Sequence, residues 1–364
     1  MRKPKKIFIA ATMQNDGKTT VSMGLIMALK KRFKNVGFIK PIGQRYILEQ
    51  GYKVDEDSVL IEDICGIRCR LNDMSPIAIE RGFTEWYIMH GKRDDLAKKI
   101  SDSFERVSNG MDLVVIEGTG HAGVGSCFDL SNAAVAKLLD ASVVLVTSGG
   151  IGRPIDEVML NASLFEKEGV DLKGVIINKV LRKKYDKIKE VVRHGLKRQG
   201  VNLYGVMPYM KNLAMPTIDE VIEETSGRLL CGKAKTENVL NKILVGAMEP
   251  HEALQYMEDG SLIITPGDRE DIILAAAGVH LSHEKDIEIA GIVLTGGLMP
   301  HDEILELVKK TDIPVILTQG DTYTVASRVH DMIIKIKPRD RLKVEAAIKL
   351  VEEYVDIDRI VSDI

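Results

Sequence analysis

The sequence predicts an α/β protein: a parallel sheet with helices on both faces, followed by a smaller three-layer α/β unit. Three observations carry this. Short apolar runs alternate with amphipathic, helix-period segments through the first part of the chain. The first of these runs opens into a Gly-Lys-Thr turn and then a helix. A second alternating region contains three strand-like runs, each ending in Thr-x-Gly.

The strand signal falls on Lys6–Ala11, Val36–Ile39, Leu113–Ile116, Ser142–Val146, Gly174–Ile177 and Gly205–Pro208. Between them, helix periodicity marks Val21–Phe33, Leu96–Val107, Ser131–Leu139, Ile155–Lys167 and Lys184–Arg198. Residues from about Arg70 to Lys92 break the rhythm, carry the single tryptophan, Trp86, and read as a lid or insertion. Near Glu223–Thr236 the apolar period fades into Glu224-Thr225-Ser226-Gly227, which reads as a seam. The expected organisation is a first domain over 1–222, a linker over 223–236, a second domain over 237–345 and a helical, acidic tail over 346–364. In the second domain the echoed runs are Leu262–Ile264, Ile292–Leu294 and Val315–Leu317, followed by helix-start signals at Asp268, Pro300 and Asp321.

Composition narrows the function classes. The 364 residues hold 50 Lys and Arg against 53 Asp and Glu, a net charge of −3 that offers no broad footprint for nucleic acid or an anionic membrane. A local phosphate site is untouched by that argument. No apolar stretch approaches the ~18 residues of a membrane-spanning helix. Met1-Arg2-Lys3-Pro4-Lys5-Lys6 is followed by an apolar run too short for a secretory leader, so a cytoplasmic protein is expected. Four cysteines make no disulfide framework and are expected to be reduced and partly buried; Cys65 and Cys69 alone are a poor metal site.

Thr12-Met13-Gln14-Asn15-Asp16-Gly17-Lys18-Thr19-Thr20 fits the phosphate-loop pattern G-x-x-x-x-G-K-[ST], with Thr12 in place of the first glycine. In this strand–turn–helix context the loop amides and helix N-terminus would wrap phosphates. Candidate nucleotide contacts are Asn15, Asp16, Gly17, Lys18, Thr19 and Thr20, with Lys18 reaching the β- and γ-phosphates of ATP and Thr19 binding Mg²⁺. Asp112-Leu113-Val114-Val115-Ile116-Glu117-Gly118 places a carboxylate, Glu117, at the end of a neighbouring strand. A strand-end glutamate capping the next segment is the structural alternative.

These residues resemble the dethiobiotin synthetase and cobyrinic acid a,c-diamide synthase group of P-loop ATPases, over about Lys5–Thr217. The resemblance implies that Lys40, in Lys40-Pro41 after the second strand, lies between the γ-phosphate and an acceptor substrate. It implies Mg²⁺ held by Thr19, Asp57 and Glu117, with Asp55 and Glu56 as acidic neighbours of Asp57. It also implies adenine recognition by Asn178. The stretch Thr119–Asp129 departs from the dethiobiotin enzyme, so that enzyme's acceptor is not supported. Within that stretch His121 is either an acid–base group or a satisfied loop histidine; Arg153 either meets phosphate or pairs with Asp156. In the second domain, Gly267-Asp268-Arg269 and Thr295-Gly296-Gly297 resemble the two signatures of the DRTGG domain, a resemblance that runs over about Val239–Asp340. Asp268, Arg269, Thr295, Gly296 and Gly297 are therefore candidate contacts for a regulatory ligand; a helix cap with a local ion pair is the plainer reading of the first two.

The two domains together are similar to the N-terminal half of long phosphotransacetylases. The acyltransferase half does not fit within these 364 residues, so acetyl transfer is not expected of them alone. Two functions remain. One is a regulatory Mg-ATP-binding ATPase, homodimeric, whose nucleotide state reaches a metabolic partner enzyme through the DRTGG domain. The other is an ATP-dependent ligase that activates a small carboxylate or carbamate. A MinD-type partitioning ATPase would carry a lysine where Met13 stands. A glutamine amidotransferase would need a glycine before Cys231-Gly232.

Overall fold

The computed structural model describes residues 3–282, 287–332 and 334–364. Met1 and Arg2, the start of the charged segment weighed above as a leader, lie outside them. The chain divides into two compact units, Met1–Tyr209 with Ile336–Ile364, and Met210–Lys335.

The first unit is built on six strands: β1 (Lys5–Ala11), β2 (Val36–Ile39), β3 (Leu113–Glu117), β4 (Ser142–Ser148), β5 (Leu172–Val180) and β6 (Leu203–Pro208). Their order is β6-β5-β4-β1-β3-β2, and every pairing is parallel. Ile7 to Ala11 of central β1 are fully buried, as continuous apolar runs are when helices cover both faces. On one face Phe8, Ala10, Ile116 and Leu145 pack with Ile100, Val107, Val158, Phe165 and Val192 from the helices Arg93–Ser108, Gly152–Glu168 and Tyr185–Arg198.

The C-terminal residues belong to this unit. Helix Arg341–Tyr354 packs on the phosphate-loop helix Lys18–Lys30 so closely that a Cβ at Gly24 would meet Val351 Cβ at 2.5 Å. Lys5 Nζ donates to the carbonyls of Val361 and Ile364 at 3.1 and 2.7 Å, and Val355 bridges Gly205 on edge strand β6. The tail expected over 346–364 is helical, and it is part of the first unit rather than a separate segment after the second. An amphipathic pattern announces a buried face without naming what covers it.

The second unit has five strands: β7 (Arg228–Cys231), β8 (Lys242–Val245), β9 (Ser261–Pro266), β10 (Ile289–Thr295) and β11 (Val315–Leu317). They run in the order β7-β11-β10-β9-β8, with β7 antiparallel to β11 and the other pairs parallel. Helices Pro250–Tyr256, Glu270–Leu281 and Asp302–Lys309 cover one face. Ile218–Thr225 and Thr322–His330 cover the other. The three layers agree with expectation; the linker over 223–236 does not. That segment holds the end of a helix whose Thr217 and Glu220 form a capping box, and then strand β7. Its polar look comes from a left-handed turn at Ser226 (φ +49°) and from the half-exposure of an edge strand. Pro300 stands just before the cap residue, His301, rather than in the first turn.

Candidate functional site: the phosphate loop and its buried carboxylates

The loop after β1 is held from within. Asp16 Oδ2 accepts from the Thr12 hydroxyl (2.9 Å) and the Met13 amide (2.7 Å), while Oδ1 accepts from the Ser148 hydroxyl (2.5 Å). Thr12, where the motif has glycine, also bonds Thr147 (2.9 Å) and Glu157 (3.1 Å). The Asp16 carboxylate is therefore a brace of the loop, which leaves its backbone amide as the group that can meet a phosphate. Gly17 sits at φ +96°, and a Cβ there would lie 2.3 Å from Asn178 Nδ2, so both conformation and space require glycine. The helix that follows, Lys18–Lys30, has no side-chain cap, leaving its first amides to whatever the loop encloses.

Beside the loop, the ends of β2 and β3 and the start of helix Glu56–Cys65 bring charges together in the interior. Lys40 Nζ stands 2.9 Å from Asp55 Oδ1 and 3.5 Å from Glu117 Oε1, and it also bonds Asp57 Oδ2. Thr19 Oγ1 donates to Glu117 Oε1 at 3.1 Å. Asp55 caps the helix by accepting from the Asp57 amide at 3.0 Å. The second oxygen of Glu117, Oε2, is buried without a hydrogen-bond partner. The nearby Ser22 hydroxyl favours the ionised carboxylate.

Burial is the largest influence on the charges of Lys18, Lys40, Asp55 and Glu117. It lowers the Lys18 ammonium below its usual range, against the pull of Glu117. It opposes the charge on Lys40 too, but Asp57, Glu117 and Asp55 together outweigh it and hold that ammonium protonated above its ordinary range. Burial pushes the Asp55 and Glu117 carboxyls up, Lys40 opposing in both cases. Three carboxylates thus share two ammonium groups, an arrangement suited to one further cation. Among the described residues no three Asp, Glu, His or Cys side chains converge as a self-sufficient metal site.

The structure brings Lys18, Thr19, Lys40, Asp57 and Glu117 into one cluster and adds Asp55, which sequence reasoning passed over. Its signal was available: a carboxylate two residues before Asp57, at a helix N-cap. Asn178 lies at the end of β5 with Nδ2 donating to the Asp16 carbonyl (2.9 Å) and Oδ1 accepting from the Lys179 amide (2.8 Å). It braces the loop and keeps one donor and one acceptor position to spare. His121 is exposed and its Nδ1 accepts from the Gly123 amide at 3.2 Å, the satisfied-loop reading. Arg153 pairs with Glu157, not Asp156. The segment after Arg70 forms helices Leu71–Met74 and Phe83–His90, with Trp86 exposed. Cys65 is buried and Cys69 and Cys231 half-buried, but Cys127 is exposed, correcting the expectation for that thiol.

In the second unit the three Thr-x-Gly turns end the adjacent parallel strands β9, β10 and β11, the edge where open sheets take ligands. Thr295 Oγ1 pairs with Thr322 Oγ1 (2.7 Å), and Gly296 and Gly297 amides donate to Gly320 and Thr318 carbonyls at 2.8 and 2.9 Å. Gly296 and Gly297 have φ of +75° and +66°. Arg269 is forked onto Asp271, both bonds 2.9 Å, and also bonds the Met248 carbonyl, while Asp268 is exposed. The local ion pair therefore describes Arg269, with Asp271 as its partner.

Comparison with known proteins agrees with this architecture. Residues 5–217 match the AAA domain family AAA_26, and residues 220–332 match the DRTGG domain. Phosphate acetyltransferases of Nitratidesulfovibrio vulgaris and Pseudomonas putida are 26% and 28% identical to this chain over 96% of it. The chain spans about half the length of these curated relatives, 50% of each. Among solved structures, a putative plasmid partition protein of Borrelia burgdorferi bound to AMPPNP is similar over 58% of this chain and 90% of its own, at 18% identity and a TM-score of 0.40. The septum site-determining protein MinD of Pyrococcus horikoshii, complexed with Mg-ADP, is similar over 58% and 83%, at 16% identity and a TM-score of 0.37. No described helix is long and apolar enough to cross a membrane. The chain belongs to the AAA_26 family of P-loop NTPase domains, joined here to a DRTGG domain as in the related region of phosphate acetyltransferases.

Proposed function

We propose that the chain binds Mg-ATP in the phosphate loop and uses its nucleotide state, with the DRTGG domain, to control a partner enzyme that handles acyl phosphates. The observation that carries the nucleotide reading is the convergence of an uncapped helix N-terminus, Lys18, Thr19, Lys40 and Glu117 at the strand ends. Lys18 supplies charge to the β- and γ-phosphates, and burial strengthens that interaction. Mg²⁺ fits the residues present: Glu117 Oε2 is buried without a partner, the Thr19 hydroxyl bonds the same carboxylate through Oε1, and the carboxylates exceed the ammonium groups. Thr19, Glu117 and Asp57 would hold the ion, which when bound neutralises phosphate charge. The spare donor and acceptor of Asn178 suit the N7 and 6-amino edge of adenine.

The partner class comes from the relatives, chains named phosphate acetyltransferase that align with 96% of this chain over half their own length. The Thr-x-Gly edge around Thr295, Gly296 and Gly297 is the proposed ligand site of the DRTGG domain. ADP release tests the reading. Slow turnover, unmoved by small carboxylates but changed several-fold by a phosphate acetyltransferase, is the expected result. Stimulation by a small carboxylate would select the ligase alternative instead.

A further inference from the structure

Two consecutive residues at the end of β5 hold two consecutive carbonyls of the phosphate loop. Asn178 Nδ2 donates to the Asp16 carbonyl at 2.9 Å, and Lys179 Nζ donates to the Asn15 carbonyl at 2.6 Å. The backbone is bent to make this arrangement. Lys179 sits at φ +57° and Asn15 at φ +66°, a region that residues with a Cβ seldom occupy. The Lys179 amide is tied in turn to Asn178 Oδ1 at 2.8 Å, which fixes the residue from which the ammonium reaches out.

In a trans peptide the N–H points opposite to the C=O. Carbonyls of Asn15 and Asp16 that are drawn toward β5 therefore turn the amides of Asp16 and Gly17 the other way. Those amides lead into the uncapped N-terminus of helix Lys18–Lys30. Lys179 makes no salt bridge among the described residues, so its charge is not spent on a structural ion pair. Its side chain is exposed enough that replacing it leaves the core intact.

We propose that Lys179 is a positioning residue of the phosphate loop: by holding the Asn15 carbonyl it aims the loop amides at the phosphate site before a nucleotide arrives. This rests on the nucleotide reading above and adds a residue to it that neither the motif nor the resemblance assigns. The action runs through the backbone, so it is present in the unliganded protein. Lys179→Met removes the donor while keeping the stem; Lys179→Arg keeps a cation that can reach a carbonyl.

The test combines calorimetry of Mg-ATP binding with hydrogen exchange of the nucleotide-free loop, in the full chain. Lys179→Met is expected to weaken Mg-ATP about five- to tenfold, the size of one ordinary hydrogen bond lost. It should also speed exchange of the amides from Met13 to Lys18, and Lys179→Arg should restore most of both. Unchanged affinity in Lys179→Met overturns the proposal. So does weaker binding with unchanged exchange, which would mean that Lys179 touches the nucleotide rather than the loop. A wild-type chain that fails to bind Mg-ATP brings down the nucleotide reading, and this proposal with it.

Discussion

A chain ending at Lys335 is expected to lose the folded first unit rather than a dispensable tail. Helices Arg341–Tyr354 and Ile357–Asp363 bury Val344, Leu350, Val351, Ile357 and Ile360, and Val355 between them is buried as well. At ~1.5–3 kcal/mol for each buried aliphatic side chain, six of them contribute on the order of 10 kcal/mol. That is as large as the net stability of a typical domain, about 5–15 kcal/mol. Removing them also uncovers Gly24 on the phosphate-loop helix and frees the ammonium of Lys5. Val351→Asp, a single buried carboxylate against that helix, should act in the same direction at a cost of several kcal/mol, about 3 or more. Thermal melts followed by circular dichroism check both. A truncated chain that melts like the whole protein would show that the C-terminal helices are not part of this core.

Lys40→Met should destabilise the protein by about 3–5 kcal/mol near neutral pH, because it leaves Asp55, Asp57 and Glu117 buried without the ammonium they share. The pH dependence gives the effect its signature. Asp55 and Glu117 have carboxyls raised by burial, so each favours the folded state below its unfolded pKa of about 4 and costs stability as pH rises through the raised value. Lys40 is raised as well; its contribution is fully present below its unfolded pKa of about 10.5 and is lost only as pH climbs through the folded value. Between those limits the ammonium offsets the carboxylates in the wild type. In Lys40→Met that offset is lost and Lys18 alone still favours the ionised Glu117, so the deficit should be largest near pH 7 and shrink as acid protonates the carboxyls. Urea unfolding at about pH 7.5 and about pH 5 reads this directly. A deficit of the same size at both values, or none, would mean that the cluster is not held by Lys40.

The central sheet was legible because parallel strands buried on both faces are written as unbroken apolar runs. Val36–Ile39 and Val315–Leu317 fall where the pattern puts them, and the others extend by one to three residues at their ends. The edge strands of the second unit were not legible. Arg228–Cys231 and Lys242–Val245 are half-exposed, so their composition resembles a linker. The loop motif pointed to Lys18, Thr19 and Glu117 because strand–turn–helix context fixes where such residues stand. It did not reveal that Asp16 and Asn178 spend side-chain bonds on the loop itself, since a motif gives positions and not partners. Arg269 shows the same limit: the signature names it, while its fork onto Asp271 depends on a helix turn that the signature does not describe. The return of the C-terminal helices to the first unit is a long-range contact that no local pattern encodes.

The most direct test of a nucleotide site in this loop is calorimetry of Mg-ATP binding to the wild-type chain and to Lys18→Ala. Lys18 is the buried ammonium of the loop motif and the proposed counter-charge of the β- and γ-phosphates, so without it affinity should fall by at least about a hundredfold, to below detection. Wild-type binding that Lys18→Ala abolishes, with the fold retained by circular dichroism, is the predicted result. Equal binding by the two proteins would contradict it.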